Sequence, residues 1–333
     1  MDTSARVETP VERLQAKLAA DMDGVNALIR ARMASEHAPR IPEVTAHLVE
    51  AGGKRLRPLL TLAAARLCGY DGQDHLKLAA TVEFIHTATL LHDDVVDESE
   101  RRRGRPTANL LWDNKSSVLV GDYLFARSFQ LMTETGSIRV LDILANASAV
   151  IAEGEVLQLT AASDLAADEA TYLRVVRGKT AALFAAATEV GGVIAGAAEA
   201  EVAALVAYGD ALGIAFQIAD DLLDYGGRGA TLGKNVGDDF RERKMTLPVI
   251  RALAAGDAAE RAFWARTIGK GRQEAGDLDR ALAILHARGA LSSTHDTAVA
   301  YADRARAALA ALPAGPLRDD LADLAEFVVE RTV

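Results

Sequence analysis

Cysteine is almost absent: Cys68 stands alone among 333 residues. No internal disulfide can form, and the composition suits a reducing compartment. Proline is scarce, at eight residues, and aromatic residues make up only 5%. With Ala and Leu abundant and strand-favouring aromatics few, the balance tips toward helix. The first residues, MDTSARVETPVERLQ, carry acids and lack an apolar core, so no signal peptide is expected. No stretch of membrane-spanning length is free of charge, because the most apolar region, Ala181–Ala219, contains Glu189, Glu199, Glu201 and Asp210. A soluble, cytoplasmic protein is the expectation. The net charge of −10 argues against a general nucleic-acid binder. It does not exclude an anionic substrate, since basic clusters and metal ions reverse the sign locally.

What is present reads as helix throughout. Half of the residues are apolar, enough for a sizeable core. Pro42 fits the first turn of a helix ending at Gly52-Gly53, and Pro58 stands near the start of the next. A turn at Gly69–Gly72 precedes a long helix from about Asp74 to Glu98, closed by the loop RRRGRPT. Further helices are expected near 115–134, 137–160, 168–190 and 197–225, with Gly136, Gly191-Gly192 and Gly226-Gly227 as breaks. Asp168 is a candidate N-cap, and Asp257 with Glu260 forms a capping box for a helix near 258–269. Helices near 245–255, 273–288, 291–311 and 315–331 complete the chain. With no linker, repeat or low-complexity tract, one all-α domain over 1–333 is the economical reading.

Two acidic segments stand out. In LLHDDVVDESE, Asp93 and Asp97 lie one turn apart on one helix face, while Asp94 points about 100° away. Like charges at that spacing weaken a helix. A bound Mg²⁺ would compensate, since it takes one or two carboxylates and completes its shell with water and phosphate oxygens. The segment DDLLD repeats the pattern at Asp220, Asp221 and Asp224. Acidic pairs on solvated faces are common, and one chance DDxxD is expected in roughly one of twenty chains this long, so two together are rarely accidental. Apolar flanks, TATLLH and GIAFQIA, place both boxes beside greasy surface.

Basic segments supply a purpose. GGKRLRP sets Lys54, Arg55 and Arg57 at a helix start, where backbone N–H groups also favour anions. Arg101, Arg102 and Arg103 follow the first box, and guanidinium groups grip diphosphate oxygens in pairs. His86 lies seven residues before Asp93, about 20° off the same face. Lys179-Thr180, Gln217, Lys234 and Lys244 complete the polar set. Singly, each is ordinary; their distribution around the boxes raises them.

GGKRLRP, FIHTATLLHDDVVDESERRRGRPTAN, VLVGDYLFARSF, AEGEVLQL, GKTAALF, FQIADDLLDY and LGKNVGDDF together resemble the trans-isoprenyl diphosphate synthases, most closely the bacterial octaprenyl/decaprenyl type. The resemblance covers about 45–250. It implies an isoprenoid-synthase fold, a single-domain bundle of long helices around a central cavity, usually a homodimer. It implies Mg²⁺, about three ions per active site, on Asp93 and Asp97 and on Asp220 supported by Asp224. Lys54, Arg57, His86 and Arg103 match positions that bind isopentenyl diphosphate. Arg102, Lys179, Thr180 and Gln217 match those facing the allylic substrate, farnesyl or geranylgeranyl diphosphate, with Lys234 and Lys244 near its diphosphate. Two departures are visible: Arg101 stands where relatives carry an apolar residue, and Arg243 and Met245 replace a Gly and a Pro around Lys244.

The chemistry implied is ionisation of an allylic diphosphate, attack by isopentenyl diphosphate and loss of a proton, with no side-chain nucleophile. Ala88 and Thr89 lie about one turn below Asp93, where short-chain relatives carry bulky aromatics. Small residues there imply a long product, octaprenyl to decaprenyl, for quinone side chains, with peripheral membrane contact for its release. Three rival readings are a farnesyl or geranylgeranyl synthase, a class I terpene cyclase and a non-catalytic synthase subunit. A cyclase carries a different second metal box and lacks GGKRLRP, and silent subunits lose aspartates that are complete here.

Overall fold

A computed structural model of the protein describes residues 8–50, 55–102, 104–226 and 236–330. The described chain is all-α except for one short hairpin, and several helix starts follow from their caps. Asp168 accepts the Thr171 N–H at 2.8 Å, and Asp257 with Glu260 forms the expected reciprocal box. A similar box, Thr9 with Glu12 ahead of Pro10, starts α1 (Pro10–Lys17). Together with α2 (Ala19–Met33), this helix adds to the elements expected from sequence.

Contacts divide the chain into two compact units, one of residues 1–148, 183–209 and 308–324, the other of 149–182, 210–307 and 325–333. In the first unit, α3 (Arg40–Glu50) and α4 (Leu56–Leu67) precede the long α5 (Asp74–Val96). The main neighbour of α5 is α7 (Asn114–Thr133), with the short α6 (Ala108–Leu111) before it. Leu78, Phe84, Ile85 and Leu91 of α5 are buried with Leu59, Leu60 and Leu62 of α4 and Leu124 and Leu131 of α7. The loop RRRGRPT closes α5 as a tight antiparallel hairpin, β1 (Arg101–Arg102) with β2 (Arg105–Pro106), turned at Gly104 with φ +76°.

The second unit contains α9 (Glu169–Val176), which runs through one widened turn, Arg177–Ala181, into Ala182, where α10 (Ala182–Ile194) begins. In that turn the Ala182 N–H reaches back five residues to the Arg177 carbonyl, a geometry that recurs at functional sites. Here α12 (Asp238–Arg241), α13 (Leu247–Ala255), α14 (Ala258–Trp264) and α15 (Asp277–Ala287) surround an aromatic cluster. Phe240 and Phe263 lie parallel with centroids 6.5 Å apart, and Trp264 meets them edge-on at 6.4 and 5.0 Å. The helices α16 (Ala290–Ala308) and α17 (Pro316–Glu330) follow. Residues of each unit occur in α8 (Ile138–Ala161) and α11 (Glu199–Tyr225), and likewise in α17.

One expectation is corrected. Gly191-Gly192 do not break a helix; α10 continues to Ile194. A Cβ on Gly191 would meet the Thr61 carbonyl and Ala64 Cβ at 2.7 Å, and one on Gly192 would meet Leu205 at 2.7 Å. These glycines serve close helix packing, which costs some helix propensity. The helix α11 is long and apolar enough to cross a membrane, but most of its apolar window is buried inside the protein, as a core helix would be.

Candidate active site

In the first unit, α5 brings the first aspartate box to its own C-terminus. Asp97 is the C-cap, its N–H bonded to the Asp93 carbonyl at 2.8 Å, so the two side chains sit on successive turns and both are half-buried. Asp94 faces inward and is fully buried. There it accepts from Arg102, Nε at 2.9 Å and Nη2 at 2.8 Å, both on Oδ1, while Oδ2 has no partner. Burial pushes the Asp94 carboxyl above its ordinary range, and the Arg102 guanidinium opposes that shift. The central aspartate of the box therefore anchors Arg102. Thr107 and Asn109 support the same hairpin, both donating to the Ser99 carbonyl, at 2.6 and 3.3 Å.

Of the residues expected to bind isopentenyl diphosphate, two are brought together. Arg57 stacks its guanidinium 4.5 Å over the Phe184 ring and places Nη1 3.2 Å from His86 Nε2. Because guanidinium only donates, Nε2 is the acceptor and the His86 proton sits on Nδ1. Arg57 and His86 thus come together. Lys54, Arg103 and Lys234 lie outside the described residues. Ala88 is fully buried on α5, and the half-buried Thr89 gives its hydroxyl to the His86 carbonyl at 2.8 Å.

In the second unit, the widened turn carries Lys179 and Thr180. Gly178 explains where it falls: a Cβ there would meet Gly154 Cα of α8 at 2.8 Å, so the two backbones touch. Lys179 pairs with Glu155 at 2.9 Å. Thr180 donates to Gln217 Oε1 at 2.8 Å, and Gln217 Nε2 donates to Asp221 Oδ1 at 2.7 Å, one turn along α11. Tyr172 gives its hydroxyl to Asp221 Oδ2 at 2.6 Å.

Asp220 is half-buried on the same helix. Asp224 accepts two backbone N–H groups, from Asp238 at 3.0 Å and Asp239 at 3.1 Å, and so ties the start of α12 to α11. Lys244 pairs with Glu242 and lies 4.0 Å from Asp239. The Arg243 substitution is now intelligible: its φ of +62° is the left-handed backbone that favours glycine. Its guanidinium holds that turn in place by donating to the Ile268 and Gly269 carbonyls at 2.7 and 2.8 Å.

Comparisons with known proteins decide the family. Residues 38–285 match polyprenyl synthetase. The chain belongs to the polyprenyl synthetase family. It is 47% identical over 324 residues to the octaprenyl diphosphate synthase of Escherichia coli, covering 96% of this chain and 99% of that one. Among solved structures it is 72% identical to a decaprenyl diphosphate synthase from Rhodobacter capsulatus, with a TM-score of 0.95 over 97% of this chain and 100% of that one. It is 55% identical to a polyprenyl synthase from Caulobacter crescentus complexed with calcium and isoprenyl diphosphate, with a TM-score of 0.93 over 98% of this chain and 100% of that one. The chain is a prenyltransferase with the all-α isoprenoid-synthase fold.

The donor chemistry of this polyprenyl synthetase fits Mg²⁺. Hard carboxylate oxygens are available at both boxes, and among the described residues no group of three or more His, Cys, Asp or Glu forms a cage. Mg²⁺ takes such oxygens one or two carboxylates at a time and fills its shell with water and phosphate oxygens. The second box crowds its carboxyls together in a buried place. Burial, with Asp220 adding repulsion, pushes Asp221 up to about 7. Asp239 is driven well above the carboxylate range by burial and by Asp221 and Asp224.

Sequence reasoning left Asp94, Glu155, Tyr172 and Asp221 without roles. Glu155 lies inside AEGEVLQL, and Asp94 and Asp221 inside the boxes, so position in a motif is a signal for three of them.

Proposed function

We propose that this prenyltransferase condenses isopentenyl diphosphate head-to-tail with an allylic diphosphate, farnesyl or geranylgeranyl, to build an all-trans octaprenyl to decaprenyl diphosphate. The observation that carries the proposal is the completeness of both aspartate boxes in a chain so similar, end to end, to long-chain synthases. The whole of 1–333 is taken to work as one polyprenyl synthase domain. Asp93, Asp97, Asp220 and Asp224 would hold about three Mg²⁺ ions, which when bound would supply positive charge to the departing diphosphate. A relative complexed with calcium and isoprenyl diphosphate supports a divalent cation beside such a substrate.

Arg102, Lys179, Lys234 and Lys244 bind the allylic diphosphate, and Lys54, Arg57, His86 and Arg103 that of isopentenyl diphosphate. Arg57 is pre-set by its stacking on Phe184, which reduces the ordering cost of binding. The C1–O bond breaks with its electron pair leaving on diphosphate. Thr180 and Gln217 offer oxygen dipoles to the allylic cation. The isopentenyl double bond then attacks C1, and a proton passes to the released diphosphate.

Exposed apolar side chains on α7, Val118, Leu119 and Phe129, support a homodimer. The product suits a quinone side chain, and the enzyme a cytoplasmic place with membrane contact at product release. Incorporation of labelled isopentenyl diphosphate tests the core claim. It should require both Mg²⁺ and an allylic primer and stop with EDTA; incorporation unaffected by EDTA would overturn it.

A further inference from the structure

The line Tyr172–Asp221–Gln217–Thr180 joins three stretches of chain in one unbroken hydrogen-bond chain. It runs Tyr172 hydroxyl to Asp221 Oδ2 at 2.6 Å, Gln217 Nε2 to Asp221 Oδ1 at 2.7 Å, and Thr180 hydroxyl to Gln217 Oε1 at 2.8 Å. Its direction is fixed at one end. Asp221 takes the amide N–H of Gln217 on one oxygen and the Tyr172 hydroxyl on the other. The Gln217 carbonyl oxygen is then committed to the side of Thr180, and the Thr180 hydrogen is spent on it. Both oxygens are left with lone pairs and no hydrogen to present outward.

We infer that Tyr172 is a positioning residue for the reaction: its buried hydroxyl holds Asp221 so that Gln217 and Thr180 present oxygen, and not N–H or O–H, to the allylic cation. The inference rests on the proposed prenyl transfer. Tyr172 is 6% exposed and Asp221 5% exposed, so neither has water as an alternative partner. Without the hydroxyl, half of the Asp221 carboxylate loses its donor. The carboxylate is then free to turn away from the Gln217 amide, and an amide no longer held by it can flip and put its N–H₂ toward the cation. A donor dipole there opposes the charge that forms on ionisation. Substrate binding, which depends on the diphosphate cations, is untouched.

The test is a double-mutant cycle in the isopentenyl diphosphate incorporation assay. Tyr172→Phe should lower kcat about tenfold. KM for isopentenyl diphosphate and the Mg²⁺ half-saturation should stay within about twofold, because none of their ligands changes. In a Gln217→Ala background the same substitution should cost less than about twofold. A full, additive loss in that background, or no loss in the wild type, overturns the inference. If Tyr172→Phe fails to fold, Asp221→Asn replaces it. The expected result is a similar fall in kcat with unchanged Mg²⁺ half-saturation; a shift in Mg²⁺ dependence would make Asp221 a metal ligand and overturn the positioning role. Wild-type protein that transfers no prenyl group would refute the underlying function, a result distinct from either mutant outcome.

Discussion

The Gly154–Gly178 contact makes a quantitative demand. A Cβ on Gly154 would lie 2.6 Å from the Lys179 nitrogen and 2.8 Å from the Gly178 carbonyl carbon, both rigid backbone atoms. Ordinary contact begins near 3.4 Å, so Gly154→Ala must part the two backbones by about 0.8 Å in an interior with little free volume. Overpacking of this kind costs about 1–3 kcal/mol. Alanine returns about 0.5–1 kcal/mol as the better helix former. The net loss of stability is therefore small, about 0–2.5 kcal/mol, and the protein should fold. Activity should suffer more, because the displaced turn carries Lys179 and Thr180. A shift near 1 Å in such groups costs up to about a hundredfold. At saturating substrates, we expect kcat to fall ten- to a hundredfold while the melting temperature moves by only a few degrees. A Gly154→Ala protein with wild-type kcat would refute the reasoning, since the widened turn would then not depend on the close approach.

Further outcomes follow from other residues. Asp93→Ala or Asp220→Ala should lower turnover by several orders of magnitude with the circular-dichroism spectrum unchanged; near-normal rates would refute their assignment as Mg²⁺ ligands. Ala88→Tyr should shorten the product by filling space on α5, and an unchanged chain length would sink the account of length control. Asp21 receives Arg66 through Nε at 2.8 Å and Nη2 at 2.7 Å and is held below the ordinary carboxylate range mainly by that bond. The contribution is thus present above about pH 4 and lost as pH falls through the depressed value. Asp21→Asn should lower stability by about 1–3 kcal/mol at pH 7, and its deficit in melting temperature should narrow near pH 3; a constant deficit would contradict the ion-pair origin.

Much of the fold was legible because local rules decide it. The caps at Asp168 and Asp257 are short-range hydrogen bonds, and the helical period of LLHDDVVD placed Asp93 and Asp97 one turn apart. Asp94 was equally legible as off-face, but its partner Arg102 comes only through the hairpin, which the sequence does not announce. Gly191-Gly192 was misread for a physical reason: glycine both ends helices and lets them touch, and only the approach of Thr61 and Ala64 distinguishes the uses. The widened turn at Arg177–Ala181 is invisible to periodicity, since it follows from Gly178 meeting Gly154 of another helix. Glu155 with Lys179, and Tyr172 with Asp221, are pairs 24 and 49 residues apart that no local pattern links. Arg243 broke an expected glycine, and the carbonyls that hold its left-handed turn lie 25 and 26 residues away.

Product analysis tests the central claim most directly. Purified protein is given Mg²⁺, labelled isopentenyl diphosphate and farnesyl diphosphate, and the dephosphorylated products are separated by chain length. The account predicts a ladder that ends in one linear product between octaprenyl and decaprenyl. Chains that stop at geranylgeranyl or shorter, or cyclised hydrocarbons, would contradict it.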